Sequence, residues 1–468
     1  QAGGTSLRLN DPLPAGHRVS EFKITPNSQR VVYLADPSFT NRFTLFSVSI
    51  TVGPVDQLSP TAGFQLTTTE FQIGPDSTFV VYERHDQAFE ALDRVPVDGG
   101  TPIILTRGGG SGRFVYDWQL SPNGQTVVYR ANNEPFIDEI HLYRVPSAGG
   151  TRTLLCDPHV FGGDVLAFQF SSDSTRVVYW GNLSTIGLNE LYSVPAAGGA
   201  RVKLSGPLIP AGDVFSFAVI GSTEVAYRAD QLQDEMVELF RVPIAGGTAT
   251  RVNHSLAPGT DVSWFEFDSA YSVPSIAYRV DVPGGTSELH GYVQYAPGYE
   301  EQYRIDRPAG VLGDVRDFQL TSDSSQVVFR ADCVDDEFLD VYAAPLVLEK
   351  APILLSQSSE FGRMSTFTYS IGPAADWVAY GARVPDQHWL YGFGLGSVST
   401  DGSQHHVHDP FFPFESSYLP GSIVPCPDPT RAVGMVYDTS TFDPVIVTAL
   451  FGSSGNLVAL AGPPEHVQ

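Results

Sequence analysis

The chain has 468 residues, 27 Lys and Arg against 52 Asp and Glu, and a formal net charge of −25. That balance excludes a nucleic-acid backbone as partner, because binding one takes clustered Lys and Arg, and no stretch approaches the ~18 continuous apolar residues of a membrane helix. Its acidity is compatible with solubility alone, with cation binding, or with a basic partner. The cysteines, Cys156, Cys333 and Cys426, are odd in number and show no CxxC spacing, so they make neither a disulfide framework nor a zinc site. The sequence opens at Gln1 with neither Met nor a signal peptide, as a processed secretory protein would, though an excised fragment would open the same way. A secreted or periplasmic location is the resulting expectation.

Along the chain, one turn-and-strand pattern recurs. It reads "TPNSQRVVYLAD" at 25–36, "GPDSTFVVYERH" at 74–85, "SPNGQTVVYRAN" at 121–132 and "SSDSTRVVYWGN" at 171–182. It continues as "IGSTEVAYRAD" at 220–230, "SVPSIAYRVD" at 272–281, "TSDSSQVVFRAD" at 321–332, "GPAADWVAYGAR" at 372–383 and "CPDPTRAVGMVYD" at 426–438. Repeats at a period of about fifty residues mean a solenoid, a propeller or an array.

The unit at 213–253 shows what each copy contains. "DVFSFAVI" (213–220) reads as a strand, with β-branched and aromatic residues and no helical period. After a tight turn, "EVAYRAD" (224–230) is a second strand, and "VELFRVP" (237–243) is a third. Pro243 stops the pairing, Gly246 and Gly247 supply a turn with positive φ, and "TATRVN" (248–253) is the fourth. The strands are apolar on both faces, as sheets sandwiched between neighbours must be. Four short antiparallel strands per repeat predict an all-β chain forming one β-propeller domain over 1–468, with nine four-stranded blades within 19–460. The alternative is eight blades plus an appendage.

The "SPNG/SSDS" turn with "VVY", followed by "LYxVPxxGG" and a short final strand, resembles the TolB-type, WD40-like (PD40) propeller repeats of bacterial proteins. The resemblance runs over residues 3–460. It implies the fold and leaves function open, because propellers host unrelated activities. Units 1, 6, 8 and 9 replace the "VPxxGG" turn by "SITVGPVD", "QYAPGYEE", "SVSTDGSQ" and "FGSSGN".

A propeller closes by covering its end blades. "GGTSLRLNDPLPAGHRVSEF" (3–22) aligns without a gap on "GGTATRVNHSLAPGTDVSWF" (246–265), which makes 3–10 a candidate closing outer strand for blade nine. "SSGNLVAL" (453–460) competes for the same place. With sheets ~10 Å apart and strands ~4.8 Å apart, nine blades set the innermost strands roughly 7 Å from the axis. The mouth of that wet channel is the default site.

Three constellations could carry chemistry there. Asp164, Asp213, Asp261 and Asp314 each open the innermost strand in "DVxxF", either as a carboxylate rim for Ca²⁺ or as turn-shaping acceptors for backbone N–H groups. "R-A-D" closes the second strand at Arg228 and Asp230 and at Arg330 and Asp332, with Arg279 and Asp281 as a variant. Loop acids follow at Asp234, Glu235, Asp335 and Asp336. The arginines are expected to pair with acids of an adjacent blade as a structural belt, or the loops to bind a cation. In "SQHHVHDP" (403–410), His406 and His408 share one face of an outer strand and, with Asp409, match a Zn²⁺ or Cu²⁺ site; exposed strand histidines are the plainer account.

No G-x-S-x-G elbow, H-E-x-x-H, P-loop or dinucleotide fingerprint is present. The expected function is a non-catalytic scaffold taking a protein or glycan ligand at the channel rim. The alternative is a metal-assisted carbohydrate-active enzyme resembling polysaccharide lyases. A neutral His or Tyr beside an Arg on one rim would favour the enzyme. His85, His159, His254 and His290 fall in different units and assemble into no site by sequence.

Overall fold

The computed structural model describes residues 9–10, 18–36, 42–51, 53–60, 67–85, 90–107, 114–132, 139–156, 160–268, 275–296, 298–306, 314–332, 339–346, 350–356, 365–372, 375, 377–385, 391–407, 418–425, 431–438, 444–450 and 458–461. Among them there is no helix, and the strands form nine four-stranded antiparallel sheets, each joined in simple up-and-down order. Such repeated sheets are propeller blades. The contacts divide the chain into two compact units, 1–234 with 240–250, and 235–239 with 251–468.

The third sheet shows why the sequence folds this way. Its first strand, Val115–Leu120, pairs with Thr126–Ala131, then His141–Pro146, then Thr153–Leu154. The turn before the second strand needs one residue in the left-handed region. Gly124 (φ +71°) fills it here, and Ser77 and Ser174 (both φ +63°) fill it in the second and fourth sheets. The Asn or Asp just before it makes that tolerable: Asn123 and Asp173 each accept the backbone N–H two residues on at 3.0 Å. After the third strand, Pro146 ends the ladder and the Gly149 N–H returns to the Pro146 carbonyl at 2.9 Å, with Gly149 at φ +89° and Gly150 at φ +139°. Both predicted turns are therefore real.

The core lies between sheets. Val127, Tyr129 and Ala131 face Phe79, Val81 and Leu92 of the second sheet, while Val128 and Leu142 face Val165, Val177 and Tyr179 of the fourth. Alternate residues of a strand thus feed opposite interfaces, the reason the strands read apolar on both faces. Cross-strand aromatic pairs recur at one register: Tyr129–Tyr143, Tyr179–Tyr192, Tyr227–Phe240 and Phe329–Tyr342 stack with centroids 5.4–5.6 Å apart. Such pairs add ~0.5–1.5 kcal/mol each beyond their buried area.

The outermost place in the last sheet, which the sequence assigns to 3–10, is held by Val458–Ala461, paired through Ile446, Val447 and Thr448. A local hairpin closes a much shorter loop than pairing with the far end of the chain does. Residues 1–8 lie outside the described residues, and Leu9 packs on the first sheet against Tyr33, Ala35 and Val48.

Candidate functional site

The four rim aspartates share one geometry. The Asp164 Oδ1 accepts the Ile140 N–H at 2.7 Å, Asp213 the Asn189 N–H at 2.6 Å, Asp261 the Val237 N–H at 2.8 Å and Asp314 the Ser287 N–H at 2.9 Å. Ile140, Asn189 and Val237 directly precede the third strand of the preceding repeat, and Ser287 is the second residue of that strand, Thr286–Ala296. One carboxylate oxygen of every "DVxxF" aspartate is therefore a latch between successive repeats. The residue closing the second strand completes the joint within its own sheet. Asn132 and Asn182 Oδ1 accept the Phe114 and Asp164 N–H groups, both at 2.6 Å, and Asp230 and Asp332 accept those of Asp213 and Asp314. Asp234 and Glu235 are exposed, and Asp335 and Asp336 lie outside the described residues.

The arginine belt differs from expectation. Arg130 pairs with Asp117 of its own sheet at 2.7 Å and gives the next sheet only a hydrogen bond, to the Val165 carbonyl at 2.9 Å. Arg330 repeats this with Asp317 and the Thr366 carbonyl, and Arg279 with Asp281 and the Arg316 carbonyl. The acids belong to the same sheet because cross-strand registry sets Asp117 opposite Arg130 and Asp317 opposite Arg330. His406 sits in a fourth strand, His405–Val407, opposite Ser397, as an outer strand should. Its side chain and residues His408 and Asp409 lie outside the described set.

Two features escaped the sequence. The first is a β-bulge at one position of the first strand. It skips Ser20, Thr69, Tyr116, Leu166, Phe215, Ser263, Arg316 and Phe367 in the first eight sheets. A bulged residue leaves the ladder and turns outward. In the third, fourth and fifth sheets that residue is large, apolar and well exposed: Tyr116 is 48% exposed, Leu166 36% and Phe215 43%. One position further on, Glu21, Glu70 and Asp117 place acids in the first three sheets.

The second feature is in sheet two, where the repeat is broken. The belt arginine is replaced by Glu83, directly opposite Glu70, and His85 stands where other sheets carry Asn or Asp. His85 Nε2 lies 3.3 Å from Glu83 Oε1 and its Nδ1 3.1 Å from Glu90 Oε1. The hydrogen bond to Glu83 holds the imidazole above its ordinary pKa against the opposing effect of burial. Burial raises Glu70 and Glu90, and the facing Glu83 carboxylate raises Glu70 further.

In the second unit, His254, Tyr278 and His290 come together. Tyr278 stacks on His290 with centroids 5.4 Å apart, and its hydroxyl lies 3.4 Å from His254 Nδ1. Burial, then His290, lowers His254 below its ordinary pKa. The enzyme reading asked for a neutral histidine or tyrosine beside an arginine; Arg251 does stand near enough to lower His254 further, but it is engaged by Glu238 at 2.9 Å, and Tyr278 is wholly buried. That leaves the tyrosine no access to a substrate. A cleft of about 370 Å³ is lined by Glu266, Gln319, Leu320, Ser322, Ser370 and Ile371. Its one carboxylate, Glu266, is committed through Oε2 to the Leu320 N–H at 2.9 Å.

No family model matches the chain, and no curated protein does. Solved structures do. A eukaryotic initiation factor aligns over 92% of this chain and 96% of its own, at 10% identity and a TM-score of 0.52. That likeness shows the fold alone. An oligogalacturonate lyase in complex with manganese aligns over 69% of this chain and 87% of its own (13% identity, TM-score 0.39). A protein described as TolB from Agrobacterium tumefaciens aligns over 50% and 80% (16% identity, TM-score 0.30).

Proposed function

We propose that this chain is a non-catalytic β-propeller scaffold, its nine blades closed in one ring, that docks a partner protein through a basic, apolar segment. One observation carries the reading: the bulge that recurs in the first strand lifts Tyr116, Leu166 and Phe215 out of three successive sheets. Exposed aromatic and aliphatic side chains in register are binding anchors, and the polar part of a partner is chosen by charge. The net charge of −25 favours a cationic partner. The latches explain the rigidity a scaffold needs, since each aspartate uses its carboxylate to fix neighbouring repeats rather than to meet a substrate.

The test is a peptide array alternating Arg or Lys with Leu or Trp, run beside a glycan array. The wild type should bind the peptides, more weakly as salt rises. Replacing Tyr116, Leu166 and Phe215 together by Ser should weaken binding at least about tenfold while leaving the melting temperature unchanged, as exposed positions allow. Glycan binding alone, or peptide binding indifferent to the triple substitution, would overturn the reading.

A further inference from the structure

We propose that Glu83, His85 and Glu90 form a binding site for a divalent transition-metal ion of the Zn²⁺ class, independent of the docking row. Glu83 and His85 are two apart on the strand Phe79–His85, so their side chains share a face, and Glu90 is the direct cross-strand partner of His85. Three ligand-bearing residues therefore stand on one face of two paired strands. One ligand atom from each lies within 4.8 Å of the others, the one such grouping of His, Cys, Asp or Glu among the described residues. The 3.3 Å between His85 Nε2 and Glu83 Oε1, like the 3.1 Å between Nδ1 and Glu90 Oε1, is close to the ~3.3 Å between neighbouring ligand atoms around a tetrahedral zinc, so either ring nitrogen already has one carboxylate at ligand spacing.

The surroundings fit such a site. The Val115 N–H of the third sheet donates to Glu90 Oε2 at 2.7 Å, and Thr69 donates to Glu83 Oε2 at 3.4 Å, so both carboxylates are oriented by neighbouring donors. Whichever imidazole nitrogen binds, the carboxylate now paired with the other nitrogen turns to the ion to complete the set of three. The repeat supplies the independent argument. Where the third and seventh sheets oppose an acid with Arg130 or Arg330, the second opposes Glu70 with Glu83. Facing carboxylates repel and are destabilising. The chain has removed its own cation here and built an imidazole and carboxylates around the gap. A nitrogen ligand selects Zn²⁺ and its neighbours over Ca²⁺ and Mg²⁺, which prefer oxygen alone.

The experiment uses the chelator-treated chain with His405, His406 and His408 changed to Ala, which removes the histidine run at 405–408. ZnCl₂ is titrated calorimetrically and by thermal melting. One ion should bind with a Kd of about 10 μM or tighter, and at 100 times Kd the folding equilibrium should shift about 100-fold. Glu83→Arg restores the residue of the third and seventh sheets opposite Glu70, and His85→Asn the residue of the third and fourth. Both variants should fold and melt at or above the metal-free parent, yet lose Zn²⁺ affinity by about 100-fold or more. Parent protein that binds no Zn²⁺ below about 100 μM overturns the assignment, as do variants that keep the parent's affinity within threefold. CaCl₂ binding as tightly as ZnCl₂ and indifferent to His85→Asn would leave a carboxylate site only, and refute it as well.

Discussion

Asp213 separates a latch from a cation ligand. Its Oδ1 accepts the Asn189 N–H at 2.6 Å, while its own N–H donates to Asp230 Oδ1. Asp213→Ala removes the acceptor and strands the Asn189 amide. A hydrogen bond to a charged group contributes ~1.5–3 kcal/mol, and because Asp213 is half-buried, water relieves part of the loss, so ~1.5 kcal/mol is the expected cost. Asp213→Asn keeps a neutral acceptor in the same place and should cost under ~1 kcal/mol. Amide hydrogen exchange reads the joint directly: the Asn189 amide should exchange about tenfold faster in the Ala variant and nearly as in the wild type in the Asn variant. Urea unfolding should show the same order of midpoints, and adding CaCl₂ to chelator-treated protein should move none of them. If Asn proves as damaging as Ala, and CaCl₂ stabilises the wild type but not Asp213→Asn, the carboxylate is a calcium ligand and the latch reasoning is refuted.

Burial holds the Glu266 carboxyl above its ordinary pKa, so the fold favours its protonated form and loses stability as pH rises through the carboxylate range. Glu266→Gln retains an acceptor for the Leu320 N–H, as Gln72 and Gln169 do for Leu120 and Val219, and should raise stability by ~1 kcal/mol or less at pH 7. That gain should vanish below about pH 4, where the wild type is itself protonated; a gain constant from pH 3 to 8 would refute the charge argument. Gly246 sits at φ +98°, and a Cβ added there would lie only 2.6 Å from Val202 Cγ1, so Gly246→Ala should cost about 2 kcal/mol or more, measured by urea titration. Deleting 457–468 removes the strand Val458–Ala461 and bares the edge of Pro444–Leu450, which should promote aggregation by light scattering. Deleting 1–8 should be the milder change, and the reverse order would restore the N-terminal closure.

The repeat made the blade legible because its punctuation is chemical. Pro146 and Gly149–Gly150 end one hairpin, and Asn123–Gly124 opens another, whatever surrounds them. That the aspartates would accept backbone N–H groups was readable for the same reason, although the donors, in the preceding repeat rather than in their own turns, were not. What stayed hidden depends on registry. Arg130 meets Asp117 in the register that the Asn123–Gly124 turn sets, and the bulge at Tyr116 shifts the pairing only beyond it, so that Ala131 faces Val115; period-two alternation gives no sign of that skip. His85 looked solitary because its partners are a cross-strand neighbour and a residue two back. Aligning "VVYERH" beneath "VVYRAN" already shows Glu83 at the arginine position, a signal available from the sequence and missed.

The bulge has an evolutionary meaning as well. A residue that has left the hydrogen-bond ladder and points into water is uncoupled from the interfaces on either side of its sheet. Substitutions at Ser20, Leu166, Phe215 and Arg316 should therefore combine without epistasis in folding. At these sheets the chain carries a freely variable letter on an otherwise fixed frame. Partner choice can drift by single-residue steps, each neutral to the fold and each altering one neighbourhood of the surface.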